Sequence, residues 1–506
     1  MCASLLPALG FSSDARAEER PTEGGLWSFD ADDAVETWDT PEGAVRVHFS
    51  VNGPNAVSLV DGDDDGVPDY PQQVAREVVA SLDMYIEDLG VRPPLPERRV
   101  GPALGGNAAL DVYLVDFGGA ADGRFGTDDC TDDGRCSGFL VIENDFSGYG
   151  YPSVAVGVSV VASHELFHAV QAAYAPIPVW LSEGGATWAT HRYDESLPDF
   201  VNACAGYLAD TGRPIFEPPL GPVPAFAYGS ALWWEFATRR HDDSLMDAML
   251  DAIAEAPEGT EAQDVMDDVM ADFGDSLFDA WPIFVQYNLA SGFRAGGAAS
   301  HPYAPSLPAI EADLEGTTID VDARLFPLAA EYWRIDHPGG DLFAGADDAL
   351  ANSVVTLHPV ADFASDGVVG EAIAGRDLSE AGSARLYESL PAGGYWLVAT
   401  QAAVADGSAR ARVCIGSAEH VEQCGIEPVV DDTGVDTTDG GDDEPSADAS
   451  SSGSVAESSS VGDTDMTLGG AAGDPDGCAC RAGSGGGGGW AWCLLLAALP
   501  GSRRRR

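Results

Sequence analysis

The sequence predicts an α+β domain, made of a mixed sheet and a helical subdomain, followed by an all-β sandwich. A disordered acidic linker and a short C-terminal segment close the chain. Three observations carry this. Strand and helix patterns alternate to about residue 150, and helical patterns alone continue over 151–300. Short strand-like runs separated by Gly-rich turns fill 301–428. From 429 to 477 the chain is Asp, Ser, Thr and Gly with few large apolar residues, so it cannot offset the entropy of ordering it.

The elements follow in order. Residues 3–11 form a short apolar run, and Ala15-Arg16-Ala17 offers a small-x-small cleavage pattern, so 1–17 reads as the remains of a secretory signal without its basic start. Residues 44–59 alternate in short apolar runs (Val45, Val47, Phe49, Val51) and predict strands. Over 72–89 the apolar residues Val74, Val78, Leu82, Tyr85 and Leu89 recur at helical spacing. Residues 109–115 and 138–143 predict strands, and 154–174 starts apolar and becomes a helix. Helices are expected over 230–240, 243–254, 261–273 and 275–289. In the sandwich, strands are expected at 317–321, 332–335, 354–357, 395–398 and 411–414. That region carries no catalytic constellation, and packing or surface spacing is its expected role.

Composition narrows the function. With 83 acidic and 25 basic side chains the formal charge is −58, which offers no electrostatic footprint for a phosphate backbone and argues against nucleic acid. No run of about 20 apolar residues predicts an ordinary spanning helix. Among the 9 cysteines, Cys130 with Cys136 and Cys414 with Cys424 lie close together in apparent loops. In an exported protein each pair reads as a small disulfide-closed loop, leaving Cys204 as a buried thiol.

The segment from Asp61 to Asp69 sets carboxylates Asp61, Asp63, Asp65 and Asp69 at relative positions 1, 3, 5 and 9, with Gly66 at 6. Oxygens at that spacing converge on one hard cation, and structural calcium is expected. Position 12 is Gln72 rather than a bidentate Glu, so the loop resembles the Asp-rich repeats of thrombospondin type 3 and dockerin modules more than a full EF-hand.

The chemistry centres on His164-Glu165-Leu166-Phe167-His168. On a helix, His164 and His168 lie one turn apart on one face, so both imidazoles reach one zinc, and Glu165 beside them is placed to take a proton from water. With 9 histidines in 506 residues, chance supplies this pattern on the order of 0.01 times per chain. A catalytic zinc needs a third protein ligand and an open position. Gln171 and Tyr174 stand where a metzincin would need Gly and His. Downstream, Trp180-Leu181-Ser182-Glu183-Gly184-Gly185-Ala186-Thr187-Trp188 resembles the second zinc helix of gluzincins, whose third ligand is a Glu. That resemblance covers roughly 150–240. It implies a zincin-like catalytic domain over 18–300, Glu183 as the third zinc ligand near a helix start capped by Ser182, and zinc-dependent peptide hydrolysis with Glu165 as general base. Only 14 residues separate His168 from Glu183, shorter than in thermolysin-like or aminopeptidase-like enzymes; His191 and Asp194 are the fallback ligands. Tyr228, in Ala227-Tyr228-Gly229-Ser230, resembles the Tyr that gluzincin aminopeptidases aim at the developing oxyanion, with His191 as second candidate. Taken together, 40–300 is similar to a group of secreted metallopeptidases from myxobacteria and relatives.

Residues 478–506 hold Cys478-Ala479-Cys480-Arg481, five consecutive glycines, an apolar stretch of roughly ten residues and a terminal run of arginines, Arg503 to Arg506. This resembles the MYXO-CTERM tail of myxobacterial surface proteins. The resemblance implies delivery to the outer surface of a Gram-negative cell, a sorting protease as partner, and only transient membrane contact through the apolar stretch. Two other readings compete: an inactive surface adhesin in which zinc is a structural staple, and a zinc hydrolase acting on a non-peptide substrate. The intact Glu165 disfavours the staple, which needs no base.

Overall fold

A computed structural model describes residues 18–25, 27–97, 105–217, 225–257, 259–296, 300–350, 353–360, 374–378, 380–402 and 408–429. The signal-like segment 1–17, the linker from 430 onward and the sorting segment 478–506 lie outside them. All described residues belong to one compact unit.

The first sheet is built from β1 (Val35–Asp39), β2 (Val45–Ser50), β3 (Leu110–Val115), β4 (Gly123–Cys130) and β5 (Cys136–Glu143), with α1 (Asp69–Glu87) crossing between β2 and β3. Its order is β1-β2-β3-β5-β4, with β2, β3 and β5 parallel and both outer strands antiparallel to their neighbours. Val112, Leu114, Leu140 and Ile142 turn to the main core with α1, while Tyr113, Val115, Phe139 and Val141 bury the other face. Burial on both faces explains why β3 and β5 read as continuous apolar runs. The expected strand over 44–59 ends at Ser50; the chain then turns, because Asn52, Gly53, Pro54 and Asn55 favour a turn. β4 was not anticipated. Its sequence GRFGTDDC lacks the alternation of a strand, and pairing with β5 holds it in place. The Cys130–Cys136 disulfide closes that hairpin.

Among the described residues eight helices follow: α2 (Val154–Gln171), α3 (Val179–Tyr193), α4 (Asp199–Leu208), α5 (Ala225–Gly229), α6 (Ala231–Arg240), α7 (Ser244–Glu255), α8 (Ala262–Asp272) and α9 (Leu277–Leu289). The whole of 154–171 is helical, rather than only its later part, because Ser153 caps it by accepting from Val156 N–H at 3.2 Å. α2 is apolar enough over its 18 residues to cross a membrane by length and composition, but 67 % of it is buried inside the protein, as befits a core helix. Trp188, Trp233, Trp234 and Trp281 are fully buried around it and its neighbours.

The rest of the unit is β-rich: β6 (Leu314–Gly316), β7 (Ile319–Leu325), β8 (Ala329–His337), β9 (Gly340–Ala346), β10 (Ser353–Pro359), β11 (Ala374–Asp377), β12 (Ser383–Leu390), β13 (Gly393–Gln401), β14 (Ala409–Gly416), the short α10 (Ala418–Gln423) and β15 (Glu427–Val429). They form two five-stranded sheets, β11-β10-β13-β8-β6 and β15-β12-β9-β14-β7. Trp333, Ile335, Leu397 and Ala399 from one share a core with Leu342, Ala344, Val413 and Ile415 from the other. The alternate residues Tyr332, Trp396 and Val398 enter the main core instead. The period-2 alternation thus buries β8 and β13 on both faces and continues the main core past residue 300. The Cys414–Cys424 disulfide ties β14 to the end of α10.

Candidate metal centre

α2 presents His164 and His168 one turn apart, their rings 4.8 Å between centroids and nearly perpendicular. α3 begins at Val179 after Pro178, which makes Glu183 its fifth residue. Ser182 is therefore inside the helix and is not its N-cap, a correction to the sequence expectation; Pro178 already fixes an extended entry, and Ser182 N–H bonds to Pro178 O at 2.8 Å. One carboxylate oxygen of Glu183 lies 3.3 Å from His164 Nε2 and 3.5 Å from His168 Nε2. The three ligand atoms lie within 4.8 Å of one another, so two imidazoles and a carboxylate form a donor set that suits zinc. The short 172–178 connection is enough to bring Glu183 back to the histidines.

Close packing sets the position of Glu183. A Cβ on Gly184 would stand 1.8 Å from Ser230 Oγ, and one on Gly185 would stand 3.0 Å from Gln171 Nε2. Ser230 Oγ in turn donates to Trp180 O at 2.6 Å. The Gly-Gly pair after Glu183 therefore lets α3 press against the start of α6 and against the end of α2.

Gln171 has a role that the sequence did not reveal. Its Oε1 lies 2.9 Å from His168 Nδ1, and its Nε2 donates to Ser182 O at 2.9 Å. Ser182 Oγ donates to the same Oε1 at 3.1 Å. With Nδ1–H donating to Gln171, loss of the other ring proton would leave the Nε2 lone pair of His168 facing the cluster. Such orienting partners are typically worth about 10- to 100-fold in metal affinity. Gln171→Leu should thus weaken zinc binding by that order while the fold persists; competition with a chromophoric chelator checks this, and unchanged affinity would remove Gln171 from the site.

Glu165 lies where β4 presses on α2. A Cβ on Gly123 would meet Glu165 Oε1 at 3.1 Å and Val161 Cγ1 at 2.3 Å. Burial pushes the Glu165 carboxyl up; His168 and His164 oppose this, and Glu183 and Asp122 add to it. For His168, burial alone would favour the neutral ring, but Glu183 and Glu165 raise it to about 9. The same pairing holds the Glu183 carboxyl down despite its burial. Tyr228, on α5, has its ring 5.5 Å from that of His164, and burial, with Glu183 and Glu165 nearby, keeps its hydroxyl protonated. Three further groups border the site: Asp122 accepts from Tyr151 OH at 2.6 Å, and the Asp199 carboxyl, at the start of α4, is pushed up by burial.

The fallback ligands sit elsewhere. His191 is 2 % exposed, stacked on Phe200 at 4.1 Å and edge-on to Tyr303 at 4.5 Å, and burial lowers it to about 4. It lies two turns of α3, about 12 Å, beyond Glu183. Asp194 accepts from Ser196 N–H at 2.9 Å at the helix end. Cys414, His420 and Cys424 also cluster, but the two sulfurs are bonded to each other.

In the acidic loop Asp61, Asp63 and Asp69 bring one oxygen each within 4.8 Å. Asp65 instead accepts from Gln72 Nε2 at 2.8 Å. Asp61 accepts from the backbone of Asp65 and Gly66, at 3.2 and 2.9 Å, and folds the loop around itself. Gly66 sits at φ 89°, a conformation that glycine adopts without strain.

No family model matches the chain, and no curated protein matches it. Among solved structures the chain is similar to an aminopeptidase A of Legionella pneumophila, at 12 % identity and TM-score 0.32, over 71 % of this chain and 36 % of that one. It is also similar to PliG of Aeromonas hydrophila, a periplasmic inhibitor of g-type lysozyme, at 9 % identity and TM-score 0.16, over 21 % of this chain and 98 % of that one. The chain thus spans about a third of the aminopeptidase's length. At those scores neither likeness establishes a fold or a chemistry.

Proposed function

We propose that the protein is a zinc-dependent, gluzincin-like peptidase with a zincin-like catalytic domain over 18–300 and a β-sandwich over 301–428. The convergence of His164, His168 and Glu183, with Glu165 beside them, carries this reading. Those three residues would hold the ion. A zinc there supplies Lewis acidity, acidifying a water molecule and polarising the scissile carbonyl. Glu165 takes the proton from water and passes it to the leaving amine. Its raised carboxyl suits a base that must also return the proton. Tyr228, kept protonated, donates to the developing oxyanion. The test is zinc stoichiometry measured beside cleavage of an unstructured protein. One zinc per chain with zinc-dependent cleavage supports the peptidase. One zinc with no cleavage would reduce the site to a staple or to a non-peptide hydrolase.

Export to the cell surface is part of the same proposal, and the two disulfides support it, since such bonds persist in oxidising compartments. The sorting protease, and removal of the tail near Cys478 or Cys480, remain the accompanying expectation for residues outside the described set.

We further propose that Asp61, Asp63 and Asp69 hold a structural calcium, with Asp65 as an outer member. Binding to the folded state alone stabilises by RT ln(1 + [L]/Kd), roughly 2.7 kcal/mol at a hundredfold excess over Kd. The melting temperature should rise with calcium, and the double variant Asp61→Ala, Asp69→Ala should lose that rise. A full calcium response in the double variant would refute the assignment.

A further inference from the structure

The second disulfide sits inside a donor set of its own. β14 carries Cys414, fully buried; α10 carries His420 in its first turn and is closed by Cys424 as its C-cap. His420 and Cys424 are four residues apart and so share one side of that turn. Cys414 Sγ, Cys424 Sγ and a ring nitrogen of His420 all lie within 4.8 Å of one another. The ring is held in place from two directions. His420 Nε2–H donates to Ile319 O at 3.1 Å, on the neighbouring strand β7. A Cβ on Gly416 would stand 2.7 Å from His420 Cδ2, so only glycine there lets the ring lie against β14. With Nε2–H engaged, Nδ1 keeps the lone pair. One ring nitrogen bonded to a backbone carbonyl, with the other left for an ion, is how metal-ligating histidines are oriented.

A disulfide needs no imidazole beside it, whereas two thiolates and an imidazole are a zinc donor set. Once the sulfur–sulfur bond opens, the sulfurs need only separate to about 3.8 Å, the span of two 2.3 Å zinc–sulfur bonds at a tetrahedral angle. Two thiolates, a neutral imidazole and a divalent cation sum to zero charge, which suits a place where Cys414 is 0 % and Cys424 8 % exposed. Asp320 Oδ1 lies 3.7 Å from Cys414 Sγ, but Arg412 Nε donates to it at 2.7 Å, so it is not counted as a ligand and water takes the fourth position.

We propose that Cys414, His420 and Cys424 form a zinc site when the disulfide is reduced, so that the ion and the disulfide are alternative staples between β14 and α10. The proposal is independent of the peptidase reading. Cysteines are made as thiols and oxidise only in an oxidising compartment, so the ion precedes the disulfide. Binding releases one proton from each thiol to solvent. A disulfide oxidant then takes two electrons from the two thiolates and is left as a dithiol; the Cys414–Cys424 bond forms and the ion is freed.

The test uses the full chain, with cobalt as the probe. A thiolate gives bound cobalt a near-ultraviolet charge-transfer band, and the centre at His164, His168 and Glu183 has no sulfur to produce one. A phosphine takes the disulfide to two thiols and becomes its oxide, the oxygen coming from water. The reduced parent should bind one more equivalent of cobalt than the oxidised parent, with the band, and zinc should displace it. The double variant Cys414→Ser, Cys424→Ser should lack that equivalent under the same reduction, which sets the baseline from thiols elsewhere in the chain. His420→Ala folds with its disulfide intact and, once reduced, should bind the ion about tenfold or more weakly. Absence of the band in the reduced parent overturns the proposal, as does an equal band in the double variant or unchanged affinity in His420→Ala. Where reduction alone melts the chain, circular dichroism should show cobalt restoring the fold of the parent and not of the double variant. A reduced parent that the ion neither binds nor refolds overturns the proposal as well.

Discussion

Glu165→Gln is expected to retain one zinc per chain and to lose about 10² to 10⁴ in the rate of peptide hydrolysis, the usual contribution of a positioned general base. The replacement keeps the shape of the side chain and removes its basicity. Glu165 is absent from the three-residue donor cluster, so zinc content should not follow activity. Its burial against Gly123 leaves an amide of the same size room to fit, and the fold should persist. Zinc analysis by mass spectrometry beside a casein-type assay reads both quantities from one preparation. Retention of wild-type proteolysis would exclude a peptidase centre at this site.

Glu183→Gln is expected to behave differently, losing zinc and activity together. A neutral amide oxygen is a poorer ligand than a carboxylate, and the two imidazoles would be left as a two-point site. In the metal-free chain the ionised Glu183 also holds His168 in its charged form. Removing that carboxylate should therefore let the His168 ring revert toward neutrality, as NMR titration of the metal-free variant would show. His191→Ala is the matched control. His191 is buried against Phe200 and Tyr303, so its loss should cost stability while zinc occupancy is kept. Full occupancy in Glu183→Gln, together with loss in His191→Ala, would mean that the third ligand is misassigned.

The legible part of the molecule was the part that repeats a local pattern. His164 and His168 are four apart on a helix, and that spacing alone puts them on one face. Glu183 was legible because it sits in a Glu-Gly-Gly sequence between two tryptophans, although the start of its helix was placed too late: Pro178, not Ser182, precedes the first turn. The illegible parts depend on pairing over long distances. β4, with its glycines and aspartates, becomes a strand only because β5 and a disulfide hold it. β9, rich in Gly and Ala, and β12, with mixed polar and apolar residues, show no clear apolar alternation, yet pair in the third sheet. Gln171 was read only as a departure from another family's pattern. Its bond to His168 Nδ1 depends on how its side chain turns at the end of α2, which no spacing encodes. Arg20, one of 25 basic side chains, gave no hint that it would be fully buried among Glu97, Asp111 and Asp128.

His164, His168 and Glu183 are proposed to hold one zinc beside Glu165. A crystal of the zinc-loaded protein, with diffraction recorded on both sides of the zinc absorption edge, tests it most directly. One strong anomalous peak is expected within about 2.0 to 2.2 Å of His164 Nε2, His168 Nε2 and a Glu183 carboxylate oxygen, with Glu165 unbound. A peak ligated by a different set, or none between α2 and α3, would contradict it.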